Sequence, residues 1–286
     1  MVEKYSLFVG CTIIVKLPHI ERLAKSIFAE LGFELAELDF TCCPTARTVR
    51  DVDEKSWLVM AARNLALSEK KGLPILTLCT GCTQTLVEAK RMLDDTQTRR
   101  IVNTELGKAG LEFTGAAEVK FFAQLLYENI ELIKQRRKKR LNVNVASHSG
   151  CHILRPSSIL NFDSAENPKR LDELLEAIGC NVIDYSEKTL CCGYQISHVD
   201  REASEAMLKD KISSISISGK ADCIVVLCPT CMDYLDLRMR PVIQKFSLPQ
   251  IAVVHYLQLL GLSMGYGLTE VGYMFNKTKC PAIEKI

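Results

Sequence analysis

Leu73-Pro74-Ile75-Leu76-Thr77-Leu78-Cys79-Thr80-Gly81-Cys82 decides the fold, because an apolar run of strand length ends there in a Cys-x-x-Cys motif and the chain repeats it. The second copy is Ala221-Asp222-Cys223-Ile224-Val225-Val226-Leu227-Cys228-Pro229-Thr230-Cys231. A short continuous apolar run suits a strand buried on both faces of a parallel sheet. Working outward, an adjacent pair precedes each motif by the same thirty-five residues, Cys42-Cys43 and Cys191-Cys192. Further back, a lone cysteine follows a glycine in each half, Gly10-Cys11 and Gly150-Cys151. Two five-cysteine patterns with an identical gap mark an internal duplication.

The flanks repeat as well. Ile20, Leu23, Ala24, Ile27, Phe28 and Leu31 fall at helical spacing before Gly32, and Leu171, Leu174, Leu175 and Ile178 do so before Gly179. Helical stretches from Ser56 to Lys71 and from Arg201 to Ser214 separate each cysteine pair from its Cys-x-x-Cys. The order strand, helix, strand, helix, strand predicts an α/β fold, with two pseudo-symmetric Rossmann-like parallel-sheet domains over residues 1–140 and 141–286. A tail element, Val119 to Leu126 and Val253 to Leu260, repeats more weakly. Every cysteine group is expected where a strand ends and a helix begins. Ligands of open α/β sheets collect there, and the helix dipole favours thiolate.

Composition narrows the classes. The chain has 286 residues, 48% of them hydrophobic, enough for two cores. With 36 basic and 34 acidic residues the formal charge is +2, which gives no reason to expect nucleic acid or anionic membrane as partner. No apolar run approaches the ~20 residues of a membrane span, and the N-terminal stretch is not a secretory signal, so a cytoplasmic protein is expected. Nothing matches G-x-G-x-x-G after a strand or G-x-x-x-x-G-K, which leaves any nucleotide or flavin chemistry to a partner.

Thirteen cysteines in such a compartment point to metal or redox work. Structural zinc takes four ligands and would leave one cysteine spare in each half. Disulfides are disfavoured by compartment, and bridging adjacent residues is strained. Iron-sulfur clusters take thiolates, ordinarily four each, so five suggests a spare cysteine or an unusual cluster.

The double pattern, with Cys191-Cys192-Gly193 in the second copy and Pro44 in place of the glycine in the first, resembles the B subunit of heterodisulfide reductase. The resemblance covers essentially the whole chain, including Trp57 to Asn64, Gly150-Cys151-His152 and His255 to Leu262. It implies two noncubane [4Fe-4S] clusters, one held by Cys11, Cys42, Cys43, Cys79 and Cys82, the other by Cys151, Cys191, Cys192, Cys228 and Cys231. It implies the reaction of methanogenesis in which the disulfide between coenzyme M and coenzyme B is split reductively. Electrons would come from a flavin-containing A subunit through an iron-sulfur C subunit. His152, beside Cys151, becomes a candidate catalytic proton donor or a packing residue. Related subunits oxidise sulfur, act on other thiols or relay electrons, and the bulky Tyr194 to His198 segment after the second pair fits a different substrate or a relay.

Other residues carry plainer readings. Cys180 and Cys223 are expected in the core and Cys280 as a free thiol in the tail. Arg47, Arg50 and Arg155 read as salt-bridging residues or as partners of an anionic substrate. His19, His148, His198 and His255 have no metal-site spacing. The run Lys134 to Arg140 reads as a linker, or as a docking patch for an acidic partner. Phe121, Leu125 and Leu257 to Met264 read as core or subunit contact.

Overall fold

The computed structural model describes residues 3–45 and 49–286. Each half builds a four-stranded, all-parallel sheet. The first contains β1 (Lys4–Phe8), β2 (Glu34–Ala36), β3 (Ile75–Thr77) and β4 (Val119–Phe121), in the order β2-β1-β3-β4. The second contains β5 (Asn144–His148), β6 (Asn181–Ile183), β7 (Cys223–Val226) and β8 (Ala252–His255), in the order β6-β5-β7-β8. Register repeats too: Ser6 pairs with Ala36 and Ile75, and Ala146 pairs with Ile183 and Ile224. The weakly repeated tail supplies the fourth strand of each sheet.

Helices Pro18–Glu30 and Arg170–Ala177 follow the first strands, each with an apolar stripe turned inward. Helices Glu54–Lys71 and Arg201–Ser218 are capped by Asp53 and Asp200, whose carboxylates accept from the backbone N–H of Ser56 and Ala203. The second runs four residues past its expected end. Ser-Ile alternation imitates a strand there, yet Ile212 and Ile215 lie three apart and both are buried, which holds the helical period.

The helix after each fourth strand crosses to the opposite half. Phe122–Glu128 packs on Arg170–Ala177, and Tyr256–Ser263 packs on Pro18–Glu30. One apolar core therefore runs through both halves, joining Leu23, Phe28, Phe122, Leu174, Tyr256 and Leu260. A smaller cluster around Trp57, Leu65 and Leu86 covers the other face of the first sheet. Leu257 to Met264 is thus largely core.

The run from Lys134 to Arg140 is fastened rather than loose. Lys138 and Lys139 donate their backbone N–H groups to the Ser263 carbonyl, Arg137 donates to the Ala177 carbonyl at 2.7 Å, and Lys139 Nζ donates to the Ile286 carbonyl at 3.0 Å. Cys180 and Cys223 are core residues, and Cys280, although unpaired, is also buried, with its thiol against that of Cys223.

Candidate functional site

The lone cysteines and the Cys-x-x-Cys motifs stand at strand-to-helix turns. Cys11 opens helix Cys11–Lys16 after β1, and Cys151 opens Cys151–Leu154 after β5. Cys79 and Cys228 occupy the N-cap positions of helices Thr80–Met92 and Pro229–Phe246. The glycines before the lone cysteines are required. Gly10 has φ 87° and a Cβ there would lie 3.1 Å from Cys82 Sγ; Gly150 has φ 92° and its Cβ would lie 3.4 Å from Cys228 Cβ. These two glycines let the turn before each lone cysteine lie against the Cys-x-x-Cys of its own half.

The paired cysteines depart from the expectation. Cys42-Cys43 and Cys191-Cys192 lie in irregular segments, not at helix starts. The first segment is tied down by Asn64, whose Oδ1 accepts from Thr41 N at 2.9 Å and whose Nδ2 donates to the Cys42 carbonyl at 3.3 Å.

Both sets open on one crevice of about 510 Å³, lined by nine of the ten patterned cysteines; Cys42 adjoins it through Cys11 and Cys43. Thiol neighbours form an unbroken string. From Cys11 it passes through Cys42, Cys43, Cys82 and Cys79, crosses to Cys228, and continues through Cys231, Cys192 and Cys191 to Cys151. The last pair stand 4.0 Å apart. The string has a pseudo-twofold axis at the Cys79–Cys228 contact.

Its electrostatics follow from crowding. Cys43, Cys191 and Cys228 are held well below the usual thiol range, first by S–H donation from neighbouring cysteines. Cys42, Cys79, Cys82, Cys151, Cys192 and Cys231 are held above it by those same neighbours and by burial. So many sulfurs cannot all ionise side by side unless cations come between them. Among the described residues no three Cys, His, Asp or Glu side chains converge on the position of a single ion. Sulfurs spread around a crevice suit a group of several metal atoms better than one tetrahedral zinc.

His152 belongs to the second half in sequence but lines the crevice against the first, where its Nδ1 lies 3.5 Å from the position of a Cβ on Gly81. Its twofold counterpart, Thr12, meets Thr230, inside the other Cys-x-x-Cys, at 3.4 Å between hydroxyl oxygens. Tyr194, Gln195, His198 and Val199 also line the crevice, so the bulky segment after the second pair does stand at the site.

The arginines lead elsewhere. Arg50 pairs with Glu88 at 3.2 Å and lies over the Trp57 ring, Arg155 donates to the Ala165 carbonyl, and Arg47 lies outside the described residues. His19 stacks on Phe275 and His255 caps helix Tyr256–Ser263, both structural roles. Sequence reasoning gave His148 no metal-site role and did not single out Lys211; both are buried close behind the second set. Lys211 had left a signal: a lysine in the stripe Ser204, Leu208, Lys211, Ile212, Ile215 that the helix buries.

Two copies of one cysteine-bearing α/β unit closed around a shared crevice define a double cysteine-rich domain, and the profile of the cysteine-rich domain family CCG matches residues 5–87 and 145–236. The chain is 36% identical over 280 residues to the B subunit of the ferredoxin/F(420)H(2)-dependent CoB-CoM heterodisulfide reductase of Methanosarcina acetivorans, covering 96% of this chain and 93% of that one. It is 38% identical to a protein of Archaeoglobus profundus described as like the heterodisulfide reductase B subunit, covering 92% and 91%. It is also 33% identical to the 8-methylmenaquinol:fumarate reductase membrane anchor subunit of Wolinella succinogenes, covering 96% and 97%. The chain belongs to the family of heterodisulfide reductase B subunits.

Its fold recurs in the crystal structure of a hypothetical protein from Helicobacter pylori, with TM-score 0.75 and 14% identity over 97% of this chain; the chain spans 52% of that one. Among the described residues no helix is long and apolar enough to cross a membrane.

Proposed function

We propose that the ten patterned cysteines hold two noncubane [4Fe-4S] clusters and that the chain is the catalytic iron-sulfur subunit of a heterodisulfide reductase-like complex. The observation that carries this reading is the unbroken, twofold string of thiols around one crevice. Cys11, Cys42, Cys43, Cys79 and Cys82 would hold one cluster, and Cys151, Cys191, Cys192, Cys228 and Cys231 the other. When bound, such clusters supply single electrons and Lewis-acidic iron able to hold sulfur, which is the requirement for splitting a disulfide.

The chain's own residues do the rest. The crevice lies between the two sets, so a small disulfide entering it has one cysteine group on either side. His152 stands between them as the proton donor to a departing thiolate. Tyr194, His198 and Val199 line the crevice beside the second pair and set the shape of what can enter. The reaction takes two electrons and two protons for each disulfide, and the chain has no nucleotide fingerprint of its own. The electrons therefore come from partner subunits, an iron-sulfur C subunit fed by a flavin-containing A subunit. The crowded free thiols suit a reducing, cytoplasmic setting.

The substrate is CoM-S-S-CoB or a related disulfide. A second reading, an electron relay or a thiol-oxidising subunit, draws on the bulky side chains lining the crevice and on the relative named for fumarate reduction. The deciding experiment is iron and acid-labile sulfide per chain in protein purified without oxygen, with EPR during titration by coenzyme M and coenzyme B thiols. About eight irons and a thiol-dependent signal support catalysis at two clusters. The same iron with no thiol response supports the relay, and zinc in place of iron overturns the whole reading.

A further inference from the structure

The two cysteine sets are related by the twofold, but their buried surroundings are not. Helices Glu54–Lys71 and Arg201–Ser218 are each 18 residues long and Asp-capped, so aligning Asp53 with Asp200 pairs the residues of one with those of the other. Trp57 then matches Ser204, Ala61 matches Leu208, Leu65 matches Ile212, and all six are buried. The same alignment pairs Asn64 with Lys211.

Both side chains reach the main chain of the segment leading to their own cysteine pair. Asn64 binds Thr41 and Cys42 through a neutral amide, whereas Lys211 donates from an ammonium to the Glu187 carbonyl at 2.5 Å. Lys211 is 0% exposed. It also stands 5.3 Å from the ring of Tyr185; burial draws its pKa down to about 8, and the neighbouring Cys192, Cys231 and Cys191, ahead of Glu187, act against that fall. A buried cation needs a compensating anion, and the second sulfur set, once ionised around metal, is the group within reach of its charge.

A second difference lies at the ends of the first strands. Phe8 and Val9 are apolar, but their counterparts are His148 and Ser149. Among the described residues, the buried ring nitrogens of His148 and the hydroxyl of Ser149 meet no hydrogen-bond partner within normal geometry. His148 feels the charges of Lys211, Cys191 and Cys228. From the core side the C-terminal set is thus backed by an ammonium, an imidazole and a hydroxyl, the N-terminal set by a phenyl ring, an isopropyl group and an amide, with His152 reaching the N-terminal set from the crevice.

We propose that Lys211 makes the C-terminal five-cysteine site the more readily reduced of the two, so that the first electron entering the chain comes to rest there. The inference rests on the reading that each set holds a cluster. Reduction adds one negative charge and no other change of atoms, and a fixed positive charge in a low-dielectric interior stabilises that added charge. Lys211 acts as a tuning residue and touches no substrate.

The test is an EPR-monitored potentiometric titration of the iron-loaded chain, with dithionite as reductant and redox mediators. Two midpoints are expected, and Cys192→Ser should remove the upper one. Lys211→Gln should lower the upper midpoint alone, by about a tenfold change in the oxidised-to-reduced ratio at fixed potential, ~59 mV for one electron. Lys211→Arg, which keeps the charge, should leave both in place. Coincident midpoints in the unaltered protein overturn the inference without any variant. So does a Lys211→Gln protein with full iron and unmoved midpoints, or one in which only the lower midpoint moves. If Lys211→Gln does not fold, Lys211→Met fills the same volume and is read the same way. Loss of iron from the unaltered protein would instead sink the cluster reading itself.

Discussion

Each patterned cysteine has two sulfur neighbours along the string, apart from Cys11 and Cys151 at its ends. A single replacement therefore breaks the string within one half and leaves the other intact. Cys43→Ser is expected to reduce iron from about eight to about four per chain, whereas Cys280→Ser, outside both sets, should leave it unchanged. Iron assay on anaerobically purified variants decides it.

His19 gives a different kind of residue-scale prediction. Burial first, and the charge of Arg22 second, lower its pKa from 6.5 to about 4. The native state then refuses a proton that the unfolded chain accepts. Stability from this residue is complete above pH 6.5 and declines as the pH falls towards 4. Denaturant midpoints measured across that range should fall more steeply for the unaltered protein than for His19→Gln. The ten cysteines were legible because their spacing repeats. His148 and Lys211 carry no repeating spacing: His148 has no polar counterpart in the first half, and Lys211 shows only as a single charge in an otherwise buried stripe.

At the scale of elements, the turn before each lone cysteine is the exacting part. Gly10 and Gly32 both have positive φ, 87° and 89°, but a Cβ on Gly32 meets nothing within 4 Å. Alanine at either should cost about 1 kcal/mol through the left-handed backbone. Only Gly10→Ala should also lose iron, since its methyl group presses on Cys82. Comparing melting temperature and iron content of the two variants separates backbone strain from crowding of the site. The central strands and first helices could be read from apolar runs and helical spacing. β4 is only three residues long, and β2 and β6 are no longer, so their patterns are too short to announce themselves. The loops of the paired cysteines do not read from sequence, because the hydrogen bonds of Asn64 that tie down the first one come from a distant helix.

For the whole molecule, the exchanged helices matter most. Sequence repetition places a boundary near residue 140, and nothing in a one-dimensional pattern shows that the helix after each fourth strand packs on the other half. Because the core is common, the chain is expected to unfold in one transition, and residues 141–286 expressed alone should show no cooperative melt by circular dichroism. Phe122→Ala, which removes a ring with 0% exposure at that shared core, should cost about 3–5 kcal/mol and shift the single transition without splitting it.

The contact between Cys79 and Cys228 joins two equivalent positions across a twofold axis, which is how identical subunits meet in a symmetric pair. In such a pair every substitution is made twice, and the two sides of the crevice must stay the same. Here both copies lie on one continuous polypeptide. A change such as lysine in place of asparagine can then alter one side alone, and a cavity built by symmetry acquires an inside direction.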